Sequence, residues 1–521
     1  MTTRSQRTLR SINPWMIALA VISATFMEVL DTTITNVALP QIAGNLSAST
    51  DEATWVLTSY LVSNAIILPM TGWMANYFGR KRVLLASIAG FTLSSLACGL
   101  APNLPILILF RIIQGATGGG LQPFSQAILL EVFPPEKQGK AMATWLFAIL
   151  IAPLLGPVMG GWIVDNYSWR WIFYVNIPIG LISFLMCHLF VFDPPYIRRT
   201  TDIVDYWGIG FLIVGIGSLQ VILDKGQQED WFSSSMIVRL GALAVVGLTL
   251  FVIREFITAQ PVVDLRVFRD RNFTAGVWLV TVSSLILYGT TVIVPLFFQT
   301  MRGYPALQAG IATVPRGIGS MLAMIIVGVL IGKMDGRPLM CLGLVVAGWS
   351  TWDMGCANLS VGAGDLWWPQ FWQGISMGLI FVPLTTLTYT TIAREKMGNA
   401  TSLFNLMRNI GGSVGISIVT TMIARHTQIH TAILGSHVHP FSQTGMRFIA
   451  GAQDRFLLND FDALTASKRA YSLIFAMIQQ QAWMLSFIEV ARLFGILFVV
   501  VIPLIFLMRK PSQKGDGVTT H

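Results

Sequence analysis

Two acids and an arginine stand in stretches where almost nothing else is charged. Glu28 and Asp31 lie in the first long apolar run, and Arg111 lies in a later one. A charge at hydrocarbon depth costs about 2.5–3.5 kcal/mol on insertion scales, so each such residue calls for a partner or a role. A spacing of three puts Glu28 and Asp31 on one helix face. At 1.5 Å per residue, Asp31 falls about 8 Å and Arg111 about 10 Å below the same surface, so the two can meet. Burial favours the neutral acid and a guanidinium favours the carboxylate. Separating the pair would then let Asp31 take a proton. The same residues would also serve as a static ion pair locking two helices, and both readings stay open. Glu28 sits deeper, either as a proton carrier, as a partner for a cationic substrate, or as an acid kept neutral by burial. Arg408 falls about 9 Å from the opposite surface, where it would orient substrate or brace the structure.

The elements that must hold these groups are membrane helices. The chain has 521 residues, of which 54% are hydrophobic and only 11% charged. Soluble domains carry roughly 25% charged residues. Runs of about 20 apolar residues, enough to cross a 30 Å core, recur from end to end. Fourteen helices are expected at about 15–36, 54–76, 83–101, 104–126, 140–163, 171–192, 205–224, 236–257, 273–297, 307–331, 339–359, 366–391, 402–424 and 488–508. The basic N-terminal segment precedes a run that carries Glu28 and Asp31 and lacks a small-residue cleavage site, so it reads as a retained first helix. An even count puts both ends on one side. With that side cytoplasmic, the inner segments hold roughly 20 Lys or Arg and the short outer loops roughly three, as the positive-inside rule requires. The net charge of +9 is therefore membrane topology and not a nucleic-acid surface. Cys98, Cys187, Cys341 and Cys356 have neither disulfide nor zinc spacing and read as small apolar residues.

The chain repeats itself. Gln114-Gly115 recurs as Gln373-Gly374, and Glu136-Lys137-x-Gly139-x-Ala141 recurs as Glu395-Lys396-x-Gly398-x-Ala400. Two six-helix halves follow, over 15–192 and 273–508, with two helices inserted between them in 193–272, a short N-terminal tail over 1–14 and a C-terminal tail over 509–521. Transporters are commonly built from such halves, with the substrate site between them near the midplane. Gln114 and Gln373 join Arg408 as candidates for substrate contact or gating. Trp372 and Phe381 could line an apolar pocket there, although packing or lipid contact would explain both. In the fifth helix, Gly156, Pro157, Gly160 and Gly161 combine close backbone approach with a helix-breaking ring, which suits a rocking interface or plain tight packing. Between the second and third helices, Gly72 and Gly79 permit a tight turn that Arg80, Lys81 and Arg82 anchor on the inside.

One segment stands apart. Residues 425–487 form a long polar outer loop with His426, His430, His437 and His439 and a helix-like stretch over 466–483. The histidines are loosely spaced with no acidic residue close by in the sequence, so solvated surface is the expectation and no metal is assigned.

These motifs together resemble the fourteen-helix drug:proton antiporters of the major facilitator superfamily, and within them the EmrB-type multidrug exporters. Leu30 to Pro40 is similar to that family's first-helix motif, Gly72 to Arg82 to its loop motif, Arg111 to Gly115 to its fourth-helix motif, and Gly156 to Gly161 to its antiporter motif. Asn76 stands where the loop motif usually has an acid, and Ala152 where the antiporter motif often has glycine. The resemblance implies an all-α integral membrane fold and export of hydrophobic small molecules, with a proton as coupling ion and no cofactor. Arg111 is implied in proton transfer. It also implies an inner membrane, a periplasmic adaptor docking on 425–487 and a TolC-like outer-membrane channel. Fatty acid, siderophore or sugar transport on the same fold is the alternative. No phosphate-cradling loop, H-E-x-x-H or G-x-S-x-G pattern suggests ATP drive or an enzyme.

Overall fold

The computed structural model describes residues 13–193, 204–258, 260–331, 334–438, 443–458 and 462–508, and every regular element among them is helical. Asn13 caps the first helix by accepting from the Trp15 N–H at 3.0 Å, with Pro14 in the first turn. In the N-terminal half the longer helices are α1 (Pro14–Asn45), α2 (Trp55–Phe78), α3 (Arg80–Leu100), α4 (Leu104–Gly118), α5 (Leu121–Val132), α6 (Pro135–Asn166) and α7 (Asn176–Phe190). Then come the inserted pair α8 (Tyr206–Lys225) and α9 (Ser235–Ile257). The C-terminal half holds α10 (Arg271–Arg302), α11 (Val314–Leu330), α12 (Gly336–Met354), α13 (Trp367–Tyr389), α14 (Met397–Ser436), α15 (Gln443–Leu457) and α16 (Ala463–Val500). Arg4, Arg7, Arg10, Arg198, Arg199, Arg509, Lys510 and His439 lie outside the described residues.

By length and composition, 13 helices among the described residues can cross a membrane, with α4 and α5 forming one span. Helix α12 is the fourteenth. It has 19 residues, but Arg337, Asp353 and three glycines lower its mean hydropathy. It nonetheless packs between α13 and α16.

The repeat is visible in the packing. Helix α4 lies so close to α2 that a Cβ on Gly115 would stand 2.3 Å from the Tyr60 carbonyl oxygen. Helix α13 lies on α11 in the same way, and a Cβ on Gly374 would stand 2.0 Å from the Arg316 carbonyl oxygen. Likewise α6 lies on α1 at Gly156 and Thr33, as α14 lies on α10 at Gly415 and Leu285. The halves meet along α6 with α11 and along α2 with α14. Near the turn from α2 into α3 a Cβ on Gly72 would fall 2.8 Å from the Asn399 Cα, so the two backbones touch there.

The inserted hairpin is tied to both halves. Asp224 and Lys225 of α8 hydrogen-bond Thr58 and Thr54 beside and within α2. Gln220 of α8 donates to Ser413 of α14 at 3.0 Å, and Trp231 donates to Thr421 of α14 at 3.1 Å. The hairpin is held to itself by Asp205, which accepts from the Gly208 N–H, Arg254 Nε at 3.0 Å and Thr258 Oγ1. Burial pushes the Asp205 carboxyl up, but these donors outweigh it and hold the group below the usual carboxylate range.

The expected outer loop at 425–487 is largely helix. Helix α14 runs on to Ser436, twelve residues beyond the apolar stretch that ends near 424, and α16 begins at Ala463, far ahead of 488. Residues 425–434 contain no proline or glycine, so the helix continues into water once the hydropathy signal ends. Helix α15 packs against α16 through Ile449 and Ala452. All four cysteines are free. Cys98 and Cys187 are buried as expected, whereas Cys356 is exposed.

Candidate functional site

Asp31 of α1 is held from two other helices, α4 and α7. Its Oδ2 accepts from Arg111 Nη1 at 2.6 Å, and its Oδ1 accepts from Gln114 Nε2 at 3.0 Å and from Asn176 Nδ2 at 2.6 Å. The ion pair is fully sealed, with both side chains at 0% exposure. Arg111 is fixed in turn: Nε donates to the Val56 carbonyl at 3.0 Å, Nη1 also donates to Gln114 Oε1 at 2.8 Å, and the guanidinium lies 4.3 Å from the Tyr60 ring centre. Asn176 also donates to Ser95 Oγ at 3.0 Å. A charged acid at this depth is stable only because donors surround it, and the same enclosure makes any change in its charge strongly felt.

Glu28 lies one helical turn away and belongs to a different set of contacts. Its Oε1 accepts from Asn64 at 2.9 Å and from Gln122 Nε2 at 3.3 Å, while Oε2 has no partner among the described residues. Arg408 of α14 donates to the same Gln122 side chain and lies 5.8 Å from the Trp145 ring centre. Gln122 therefore links an acid of the first half to an arginine of the second. Close by, Gln126 Oε1 accepts from Asn405 at 2.7 Å and from the Tyr389 hydroxyl at 3.3 Å, a second polar bridge across the halves.

Gln373 is buried in the second half, donating to Thr290 at 3.0 Å and Thr351 at 3.2 Å. Phe381 is buried in the core. Trp372 does not join it: the ring is partly exposed and stacks edge-on with Trp349 and Phe371, on the side of α13 that faces α12. The antiporter glycines sit directly above the acid. A Cβ on Gly156 would stand 2.3 Å from Thr33 Oγ1, one on Gly160 would stand 3.3 Å from the Ile34 carbonyl oxygen, and Gly161 is buried. Helix α6 runs unbroken through Pro153 and Pro157, and Pro157 rests against Gly310 of the other half.

In the turn between α2 and α3 Gly79 has φ +94°, a conformation that side chains disfavour, and its N–H closes on Ala75. Arg80 pairs with Glu131 of α5 at 2.5 Å rather than with position 76, where Asn76 is exposed. The Lys81 N–H donates to Asp193 at 2.7 Å, its ammonium to the His188 carbonyl at 2.6 Å, and Arg82 is exposed. The missing acid is thus replaced from another helix.

Sequence reasoning passed over Asn64, Gln122, Asn176 and Arg316. Arg316 occupies, against Gly374, the place that Tyr60 occupies against Gly115. Its side chain is 94% buried, and Nε, Nη1 and Nη2 all lack a partner among the described residues.

A family model described as Major Facilitator Superfamily matches residues 21–416. The chain is 36% identical to the multidrug export protein EmrB of Escherichia coli (strain K12), with 99% of each chain covered. It is 38% identical to the fatty acid resistance protein FarB of Neisseria gonorrhoeae over 95% of this chain and 96% of that one. It is 41% identical to EmrB of Haemophilus influenzae over 83% of this chain and 85% of that one. Among solved structures, the human organic anion transporter MFSD10 superposes with a TM-score of 0.59 at 11% identity, covering 96% of this chain and 100% of the other. The proton:xylose symporter XylE gives 0.57 at 15% identity, covering 80% and 90%. These two likenesses are of fold. With paired halves, an acid–arginine pair sealed in the first, and relatives matched end to end, the chain belongs to the Major Facilitator Superfamily, in the group that holds the EmrB export proteins.

Proposed function

We propose that the protein is a proton-coupled antiporter that exports hydrophobic, toxic compounds by alternating access. The observation that carries this reading is Asp31, a carboxylate sealed from water and gripped by Arg111, Gln114 and Asn176. A rocking of the halves that also shifts α1 against α4 and α7 within the first half loosens those donors and makes Asp31 a proton acceptor, and re-forming the grip expels the proton on the other side. Glu28, bound through Gln122 to Arg408, carries the link from the first half to the second. The names of the full-length relatives support the substrate class. A membrane potential supplies about 2.3 kcal/mol per charge per 100 mV to such a cycle. The coupling ion is the proton itself, and the residues assigned roles here bind and transfer protons rather than catalyse a reaction.

The test is transport by purified protein in proteoliposomes with an imposed pH gradient and a panel of hydrophobic drugs. Wild type should move drug only while the gradient stands, and Asp31→Asn should remain folded yet fail to move it. Drug movement that survives collapse of the gradient overturns the proposal.

The excess of Lys and Arg in one set of loops supports a cytoplasmic side for both termini. The helical extension formed by α15 and the outer ends of α14 and α16 then projects outward from an inner membrane. It is the docking surface for a periplasmic adaptor that leads to a TolC-like channel. Deleting much of 440–475 should reduce adaptor co-purification while membrane insertion persists, and an unchanged complex removes this assignment.

Arg316 favours a second reading of the substrate. A buried guanidinium with no counter-charge among the described residues is costly, and an acidic group on the cargo would satisfy it. The name of one relative, a fatty acid resistance protein, fits that chemistry. Arg316→Gln should lower export of dodecanoate while sparing uncharged drugs, and equal loss of both sinks the distinction.

A further inference from the structure

Helix α14 presents His426 and His430 four residues apart, and therefore on one face. Glu489 of α16 reaches across to both. His426 Nδ1 stands 2.6 Å from Glu489 Oε2, and His430 Nε2 stands 3.1 Å from Glu489 Oε1. The ligating atoms of all three lie within 4.8 Å of one another. The acid is 59 and 63 residues away in sequence, so the expectation of solvated histidines without an acidic partner is corrected here.

We propose that His426, His430 and Glu489 form a binding site for a divalent first-row transition metal of the zinc type, which staples α14 to α16 at the root of the helical extension. The donor set is two imidazoles and a carboxylate, the combination that suits zinc, nickel or copper rather than magnesium or calcium. Two histidines at i and i+4 on one helix with a third ligand from elsewhere satisfy the three-ligand requirement of an open zinc site, and water fills the remaining position. Zinc with bonds of about 2.0–2.1 Å to nitrogen and oxygen needs ligand atoms about 3.3 Å apart. The present spacing of 2.6 and 3.1 Å is that of hydrogen bonds, so a metal enters by side-chain movements of under about an ångström.

The place suits capture from solution. His426 lies 29 residues into α14 counted from Met397, which is about 44 Å along the helix and beyond the length of a 30 Å core. His426 and Glu489 keep 34% and 46% of their side chains exposed, while His430 is more enclosed at 19%. An incoming ion thus meets the two accessible ligands first. Beside the site, Thr427 donates to Ser486 at 3.2 Å, so the two helices are already in register without metal. Arg425, the neighbouring cation on α14, is drawn to Asp230 and not to Glu489. Arg492, one turn along α16, donates to the Gly355 carbonyl instead. The carboxylate is left to the histidines.

The experiment uses the full-length protein, freed of any affinity tag, in detergent. Zinc sulfate is titrated calorimetrically in an excess of magnesium, and bound metal is counted by mass spectrometry after dialysis. Wild type should take up one zinc per chain and gain thermal stability that EDTA reverses. Glu489→Gln and His430→Ala should bind at least tenfold more weakly, with metal-free melting close to wild type. His437→Ala, whose ring hydrogen-bonds the Ile433 carbonyl of its own helix, should bind as wild type does. Should His430→Ala fail to fold, the near-isosteric Glu489→Gln decides the matter. No uptake by wild type, or undiminished uptake by Glu489→Gln, overturns the proposal and leaves a hydrogen-bonded clamp. None of these readouts requires transport, so the result stands apart from the antiport reading.

Discussion

Asn176 reaches from the start of α7 to Asp31 in the middle of α1, its amide 2.6 Å from Oδ1. The acid is thereby connected to a helix that carries no charge of its own in this region. Asn176→Ala removes this donor and the one to Ser95. Gln114 still donates to Oδ1, but two buried acceptors each lose a donor, at about 1–3 kcal/mol, so the variant should melt several degrees below wild type. Its gradient-driven export in proteoliposomes should fall, but less than that of Asp31→Asn. Export equal to wild type would show that the α7 contact only braces the fold.

The close approach of α4 and α2 gives a packing test. An added Cβ at Gly115 would meet Ser63 Oγ at 2.1 Å and the Tyr60 carbonyl oxygen at 2.3 Å, the latter a backbone atom that cannot swing away. Gly115→Ala should destabilise by about 1–3 kcal/mol through overpacking. Gly44→Ala, where a Cβ meets nothing within 4 Å, is the control and should melt as wild type or slightly higher. Thermal unfolding in detergent reads both.

Gly72 and Asn399 touch where the two halves meet. Alternating access requires that contact to open and re-form. A Cβ at Gly72 would stand 2.8 and 2.9 Å from the Asn399 Cα and N, so Gly72→Ala should wedge this contact open and lower gradient-driven export in proteoliposomes. Export equal to wild type would mean that tight closure at this contact is not needed.

Asp205 sets a pH dependence outside the membrane-spanning segments. Its carboxyl is held below the usual range in the folded protein, mainly by Arg254 acting against burial. A lowered folded-state value means stability that is complete above the ordinary aspartate range near 4 and is lost as pH falls through the folded value. The melting difference between wild type and Asp205→Asn should therefore be constant from pH 7 to about 5 and shrink as the pH drops below about 4. A difference that grows on acidification contradicts the assignment.

Much of this was readable from the chain. Apolar runs of membrane length placed the helices, and the rise of an α-helix put Asp31 and Arg111 at one depth before any contact was known. The repeat of Gln-Gly predicted paired halves, and Gly115 and Gly374 indeed make matching approaches. Other features left weaker traces. Asn176 and Gln122 are uncharged, so no desolvation cost singles them out. Arg316 did leave a signal, a charge in an apolar run, but the repeat carries Tyr60 onto Gly319, three residues beyond it. Glu489 meets His426 and His430 only because two helices run on side by side past the end of the hydropathy pattern. For Trp372 residue type left pocket lining and packing or lipid contact both open, because type does not fix which way a helix is turned.

Helix α14 carries Arg408 in its membrane-embedded part and His430 near its far end, all within one continuous run of 40 residues. At 1.5 Å per residue that run is about 60 Å long, twice the hydrocarbon thickness. It behaves as a lever: a turn of about 5° at the Gln122 contact carries the distal tip, about 42 Å further on, through about 4 Å. Whatever grips that tip from outside can feel the protonation state of a site buried in lipid, and can push back on it.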